Sequence, residues 1–161
     1  MAIALELFEQ VVRRTPAPEI ADEVIGGGAS AHPFELRNVH SGFPPKVRKL
    51  FDNGHGAEAT FLAFKYVEKV VQKHANVAEI GEKLMMTVFN PDGPVLKLNG
   101  LASLSEKDEQ RGYRFVFAGA VVAIRNPGGH EVELSDDPDV CLDHLTFASL
   151  LLRRLERSGY K

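Results

Sequence analysis

The chain has 161 residues, a length that suits one globular domain. Of these residues 44% are hydrophobic and 25% charged, a composition that excludes extensive disorder. A formal net charge of −3 provides no general attraction to nucleic acid, so any such site must be a local patch. The single cysteine excludes an internal disulfide and is typical of a reducing compartment. No stretch has the length and apolarity of a membrane span, and no signal-peptide cleavage site is recognisable, so we expect a cytoplasmic protein that does not contact membranes.

The N-terminal quarter of the chain differs in composition from the rest. Apolar residues at near-helical spacing predict an amphipathic helix over residues 3–13, and a short helix is predicted over 17–25. The remainder, to about Pro45, is rich in glycine and proline and is typical of an extended loop or linker. We therefore expect an N-terminal extension, residues 1–43, attached to a helical domain, residues 44–161.

Three helices are predicted in the first half of that domain. They lie in the stretches "PPKVRKLFDNG", "GAEATFLAFKYVEKVVQKHA" and "NVAEIGEKLMMTVFN". The second helix has one row of residues at steps of three and four that can share a side of the helix, namely Glu58, Phe61, Lys65 and Glu68. Its core-facing stripe comprises Ala57, Phe61, Phe64, Val67 and Val71.

Two further helices complete the predicted fold. The stretch "SEKDEQRGYRFVFAGAVVAIRN" predicts a long helix capped by Ser105, with Asp108 as the acid of a capping box, and buried on most of its circumference. A last helix begins near Pro138, and its predicted core stripe includes Val140 and Leu145. No alternating strand pattern of useful length occurs. The sequence therefore predicts an all-α bundle of four to five helices with an N-terminal helical and loop extension.

The stretch "AIRNPGGHEVE" is the candidate functional motif. Arg125 and Asn126 end the long helix, a Pro-Gly-Gly turn follows, and His130 comes five residues after the arginine. A chain that folds back at this turn can direct both charged side chains toward one pocket. Arginine binds phosphate bidentately, and histidine transfers protons near neutral pH. Asn126 can orient a hydroxyl or phosphate oxygen, and the paired glycines let a nucleic-acid backbone approach closely.

These residue types fit cleavage of an RNA phosphodiester in which the 2′-hydroxyl is the nucleophile and no metal is needed. Composition alone favours a simpler explanation, an ordinary helix end, because cations are favoured at helix C-termini and glycines turn the chain. On that alternative His130 is simply a loop residue. No histidine and cysteine spacing is typical of a zinc site, and no clustered acids indicate a two-metal nuclease. We therefore expect no metal and no cofactor.

The motif "RNPGGHE" resembles the R-x4-6-H signature of the HEPN superfamily of small all-α domains, which are common in prokaryotic toxins, anti-phage systems and RNA-processing enzymes. Four ordered blocks resemble its Ymh-type branch: "KLFDNGHGAEATFLAFKYVEKVV", "KLMMTVFNPDGPVLKLN", "DEQRGYRFVFAGAVVAIRNPGGHE" and "LTFASLLLRRLER". They span about Pro45 to Arg157. The chain differs from the usual motif in having Gly128 and Gly129 where one larger residue is expected.

The resemblance implies a homodimer in which two motifs face one cleft and cleave RNA without metal. It implies that Arg125 binds the scissile phosphate, His130 transfers protons and Asn126 helps to orient the site. It also implies a polar or acidic residue on an earlier helix, for which Glu58 is the first candidate and Lys65 the second. An antitoxin or a defence-system protein is an implied partner. Because many HEPN domains bind RNA, nucleotide or protein without catalysis, a binding module and a purely structural helical protein remain alternatives.

Other residues have simpler interpretations. His55 is interpreted as a solvated or capping residue, with contact to substrate or to the dimer partner as the alternative. Cys141 is expected to be a core thiol, and His144 to lie at the surface, although Asp143 and His144 could touch the motif. The acidic loop "ELSDDPD" is expected to be solvated and to point away from the cleft. Five aromatic residues are assigned to the core, namely Phe61, Phe64, Phe115, Phe117 and Phe147.

Overall fold

The fold is described from a computed structural model that places residues 31–130 and 135–161, with no side-chain description of His130. All the regular secondary structure of these residues is helical, and no strand occurs among them, so the all-α prediction is confirmed. The helices predicted over residues 3–13 and 17–25 lie outside the described part. In chain order the elements are α1 (Pro33–Leu36), α2 (Pro45–Asp52), α3 (Gly56–Ala75), α4 (Gly81–Val88), α5 (Leu104–Ala120), a π-helical turn (Val121–Arg125), α6 (Pro127–His130) and α7 (Pro138–Arg157).

Helix α3 organises the core, packing against α2, α7 and the π-helical turn. Burying one large apolar side chain contributes about 1.5–3 kcal/mol, and many such residues meet here. Helices α4 and α5 form a second pair, joined by the stacked rings of Phe89 and Phe117, whose centroids are 4.6 Å apart. The largest fully buried apolar side chains are Phe64, Phe89, Phe117, Leu84, Met85, Leu145, Leu151 and Leu155.

Residues 31–43, which the sequence assigns to the extension, pack with the helical domain. Ala31–Lys161 forms one unit, and Phe34 and Phe43 are both buried in its core. The backbone N–H of His40 donates to the hydroxyl of Ser149 at 2.9 Å, and its ring pairs with Glu156 at 3.0 Å. The glycine and proline content of this segment thus reflects tight turns around α1 and not a free linker.

Helix α5 begins two residues earlier than predicted, because Ser103 and not Ser105 is its N-cap. The Ser103 hydroxyl accepts a hydrogen bond from the backbone N–H of Glu106, and the Glu106 carboxylate accepts one from the backbone N–H of Ser103. This reciprocal pair is a full capping box. The side chain of Asp108, three residues after Ser105, is one methylene shorter and less suited to form the same pair. Those hydrogen bonds hold the pKa of Glu106 below its usual value.

The prediction that α5 is buried on most of its circumference is wrong. Phe115 is 53% exposed, Val116 is exposed, and Val122 in the π-helical turn is 45% exposed. A β-carbon added to Gly119 would meet nothing within 4 Å, so this side of the helix is open. We call the surface formed by Gly112, Phe115, Val116, Gly119 and Val122 the α5 stripe.

Other predictions along the chain also change. Val140, expected in the core stripe of α7, is 46% exposed, whereas Leu145 is fully buried as predicted. Helix α4 begins only at Gly81, because Asn76 ends α3 in the left-handed conformation and Gly81 itself has a φ of +67°. No described helix has the length and apolarity needed to cross a membrane.

Candidate functional site

The end of α5 is wound as a π-helical turn over Val121–Arg125. The backbone N–H of Asn126 donates to the carbonyl of Val121, five residues earlier, at 2.8 Å. Such wide turns add a residue to a helix and are frequent at functional sites. The sequence led us to expect that the chain folds back at the glycines. Instead, it continues through Pro127–His130 as a helical turn.

The Arg125 side chain points inward, toward α3. Only 16% of it is exposed, and its Nε lies 3.5 Å from Oε2 of Glu68. Its Nη1 donates to Oδ1 of Asn126 at 3.0 Å. The guanidinium also lies over the ring of Phe61, 5.7 Å from the ring centroid, at a distance typical of a cation–π contact. Arg125 therefore contacts its neighbour Asn126 and is held by Glu68 and Phe61 of α3.

Glu68 is the acidic residue of this site. Its side chain is fully buried, and its Oε1 accepts a hydrogen bond from Nζ of Lys65 at 2.8 Å. Neither Oε2 of Glu68 nor Nε of Arg125 makes a hydrogen bond within the described part of the chain, although the two atoms face each other. We call Lys65, Glu68, Arg125 and Asn126 the Arg125 cluster.

The Arg125 cluster has an excess of positive charge. Two formal cations, Lys65 and Arg125, share the single carboxylate of Glu68, so one positive charge is not compensated by any residue that the structure describes. Among the described residues, none accepts a hydrogen bond from Nη2 of Arg125. A partly buried cation of this kind attracts an anion more strongly than a fully solvated one, because the local dielectric constant is lower. The cluster can therefore bind a phosphate.

The paired glycines of the motif are explained by close packing. A β-carbon on Gly128 would lie 3.2 Å from two carbon atoms of Phe61, and one on Gly129 would lie 3.4 Å from the same ring. Glycine at 128 thus lets α6 approach α3 closely, and Phe61 contacts both this turn and Arg125. The sequence suggested a turn-forming role, which is wrong for this helical segment.

The remaining predicted site residues fall into two groups. Lys65, the second candidate on the earlier helix, belongs to the Arg125 cluster, but Glu58, the first candidate, is exposed. His55 is also exposed at the start of α3, and within the described residues neither side chain makes a hydrogen bond or ion pair. The backbone of His130 ends α6, while its side chain lies outside the description.

Glu68 was missed as a site residue, although it belongs to the same row as Glu58 and Lys65. The sequence does contain a signal for it. The residues of the row share one side of α3, and Glu68, the last acid of the row, lies among buried apolar residues. The sequence alone could not show which residue of this row meets Arg125, because that depends on where the π-helical turn packs against α3. No group of three or more histidine, cysteine or acidic residues capable of holding a metal occurs among residues 31–130 and 135–161.

Comparison with known proteins identifies the family. A family model described as "Protein of unknown function (Hypoth_ymh)" matches residues 37–155. The chain belongs to this family. No curated protein and no solved structure matches the chain significantly.

The Hypoth_ymh match extends over both parts of the site. It includes Lys65 and Glu68 on α3 as well as the whole Arg125–His130 motif. Its start at residue 37 also lies within the segment that the sequence assigned to the extension. The site and the core that supports it thus belong to the Hypoth_ymh domain.

Proposed function

We propose that this protein is a metal-independent endoribonuclease of the HEPN type. The observation that carries the proposal is the Arg125 cluster, in which a buried carboxylate holds an arginine while leaving one positive charge in excess. Asn126 lies against the guanidinium, and His130 follows one helical turn later. A cation that can bind phosphate and a histidine that can transfer a proton are thus close together along the chain.

The proposed reaction uses the RNA as its own nucleophile. His130 removes the proton of the 2′-hydroxyl, the 2′-oxygen forms a bond to phosphorus, and the bond from phosphorus to the 5′-oxygen breaks. The leaving 5′-oxygen takes a proton from a protonated histidine, and the products are a 2′,3′-cyclic phosphate and a 5′-hydroxyl. Arg125 stabilises the charge that develops on the phosphoryl oxygens.

The α5 stripe supports the homodimer that this proposal includes. It places apolar side chains in solvent along the helix that ends at Arg125, and exposed apolar patches commonly mark interaction surfaces. A second copy of the chain that packs on this stripe would bring two Arg125 clusters toward one cleft. The proposed setting, a cytoplasmic toxin or anti-phage system with an antitoxin or defence partner, is supported by the HEPN resemblance alone.

The proposal is tested by incubating the purified chain with RNA in excess EDTA. We expect cleavage that leaves cyclic phosphate ends, and we expect His130→Ala to abolish it because no other group would take the 2′ proton. The matched control is His55→Ala, which removes an exposed histidine outside the site. This variant should keep most of the activity. Equal cleavage by His130→Ala and the wild type would show that the mechanism is wrong.

A charge placed on the α5 stripe should dissociate the dimer. We expect Phe115→Asp to give a monomer, because a carboxylate cannot be buried in an apolar interface without a partner. Light scattering after size exclusion measures the mass, and RNA cleavage is measured on the same samples. Leu36→Asp, at an exposed apolar residue of α1, is the control and should leave the mass unchanged. A wild-type chain that is monomeric under the same conditions would contradict the proposal.

One observation favours a second function, a non-catalytic module that binds RNA. Glu68 and Asn126 fix the position of Arg125, and a fixed guanidinium can bind an RNA phosphate whether or not the RNA is then cleaved. This alternative predicts RNA binding that is lost in Arg125→Ala, with no cleavage by the wild type. Absence of both binding and cleavage would favour a purely structural role.

A further inference from the structure

A cavity of about 200 Å³ lies beside the motif, and none of its described lining residues belongs to the Arg125 cluster. Its described walls come from four helical elements and the segment before α7, namely Thr60 on α3, Ile124 in the π-helical turn, Pro127 in α6, Cys141 and His144 on α7, and Ser135. Val140, nearly half exposed, forms its rim. The sequence placed His144 at the surface, but the structure makes it a half-buried residue that lines this cavity.

The size of the cavity restricts its ligand. A cavity of about 150 Å³ accommodates benzene, whereas drug-sized ligands occupy about 300–1,000 Å³. The space therefore fits one heteroaromatic ring system without an attached sugar and phosphate. Its walls are mainly apolar, from Ile124, Pro127 and Val140, as expected for the flat faces of such a ring.

A few polar groups in the cavity can recognise the edge of a ring. The ring of His144 lines the cavity and makes no hydrogen bond or ion pair with another described residue. Burial lowers the pKa of His144, while the nearby carboxylate of Asp143 acts in the opposite direction. A neutral imidazole has one donor and one acceptor, which matches the mixed donors and acceptors of a nucleobase edge. Histidine rings also stack on unpaired bases.

Cys141 also lines this cavity, and its surroundings make its thiol unreactive. Its thiol is buried and accepts a hydrogen bond from the hydroxyl of Thr60 at 3.5 Å. Burial raises the pKa of this thiol, so the thiolate is disfavoured at neutral pH. We assign it a packing role in the wall and no chemistry.

The cavity and the Arg125 cluster share one short segment of chain. Ile124 and Pro127 line the cavity, and the residues between them, Arg125 and Asn126, belong to the cluster. Gly128 connects the two sites, since it lines the cavity and packs against Phe61, over whose ring the Arg125 guanidinium lies. Helical residues rise by about 1.5 Å each, so Pro127 lies only about 3 Å along the axis from Arg125.

We propose that this cavity binds a single unstacked nucleobase of the RNA whose phosphate is held by the Arg125 cluster. The inference rests on the proposed function, because it takes the ligand of the cluster to be RNA. A base inserted between Ile124, Val140 and His144 would fix the position of its own nucleotide along the motif. The cavity would thereby select cleavage sites at unpaired nucleotides, since a base within a duplex cannot enter it.

The binding step can be tested without cleavage. The full chain is titrated with adenosine, guanosine, cytidine and uridine, and the methyl resonances of Ile124 are followed by NMR. We expect saturable shifts with at least one nucleoside. Val140→Trp should weaken this binding about tenfold or more, because the indole blocks the rim. Leu150→Trp is the matched control, at an equally exposed position on the same helix that does not line the cavity, and should bind as the wild type does.

A second variant and a second ligand test the polar recognition. His144→Phe retains an aromatic ring without hydrogen bonds, and we expect about two- to tenfold weaker nucleoside binding. Benzene that binds as tightly as the nucleosides, with no effect of His144→Phe, would overturn the assignment to a nucleobase. Absence of saturable shifts with all four nucleosides up to their solubility would overturn the proposed site itself.

The two proposals fail in different ways. A chain that binds nucleosides at this cavity but does not cleave RNA in EDTA would contradict the endoribonuclease and keep the nucleobase site. A chain that cleaves RNA but binds no nucleoside, and whose Val140→Trp variant cleaves normally, would contradict the nucleobase site and keep the endoribonuclease.

Discussion

Replacing Arg125 by alanine is expected to lower the rate of RNA cleavage about 10²–10³-fold, the loss typical of removing one group that stabilises charge in a transition state. The guanidinium is the group of the cluster that can bind phosphate bidentately, and the variant has only Lys65 to replace its charge. Arg125→Lys should also be strongly impaired, because a lysine cannot bind phosphate bidentately or lie flat over the Phe61 ring. Initial rates on a defined RNA in EDTA measure the effect.

The control for this prediction is Arg111→Ala. Arg111 is an exposed cation on the same helix, so its removal changes the net charge equally without touching the cluster. It should cleave at close to the wild-type rate. Circular dichroism of every variant shows whether the fold is retained. If Arg125→Ala retained wild-type activity, binding of the scissile phosphate by Arg125 would be disproved.

Replacing Glu68 by alanine should lower the free energy of unfolding by about 3 kcal/mol, near the lower end of the range for breaking a buried ion pair. The carboxylate is fully buried, and its loss leaves a void and two cations without their shared partner. The cost is at the lower end because Lys65 and Arg125 are partly exposed and can recover some hydration. Glu68→Gln, which keeps the volume and one hydrogen-bond acceptor, should cost about 1–2 kcal/mol.

Urea unfolding followed by circular dichroism measures both values, at one protein concentration because a dimer is stabilised by mass action. Glu58→Ala is the matched control: it removes a carboxylate from the same row of α3 at an exposed position, so its effect should stay within about 0.5 kcal/mol. A double-mutant cycle with Arg125→Ala isolates the energy of the pair. Equal stability of Glu68→Ala and Glu58→Ala would show that the buried carboxylate does not hold Arg125.

Local patterns in the sequence determined much of the fold. Helical spacing and helix-breaking residues predicted the helices around Pro45, Gly56 and Pro138 at their observed positions, because these signals act within a few residues of one another. The cap of α5 was misplaced by two residues. Two serines in this stretch compete for the cap, and Ser103 is the one that Glu106 completes into a capping box, whereas the acid three residues after Ser105 is the shorter Asp108.

What only the tertiary structure decided is which sides of these helices meet. The row on α3 was visible in the sequence, but the packing of the π-helical turn against α3 selects Glu68 and not Glu58 as the partner of Arg125. The packing of α6 against the same helix explains Gly128 by its contact with Phe61, which no local pattern encodes. The apolar residues of α5 looked like core because hydrophobicity alone does not record whether a neighbour is present, and for Phe115 none of the described elements covers it.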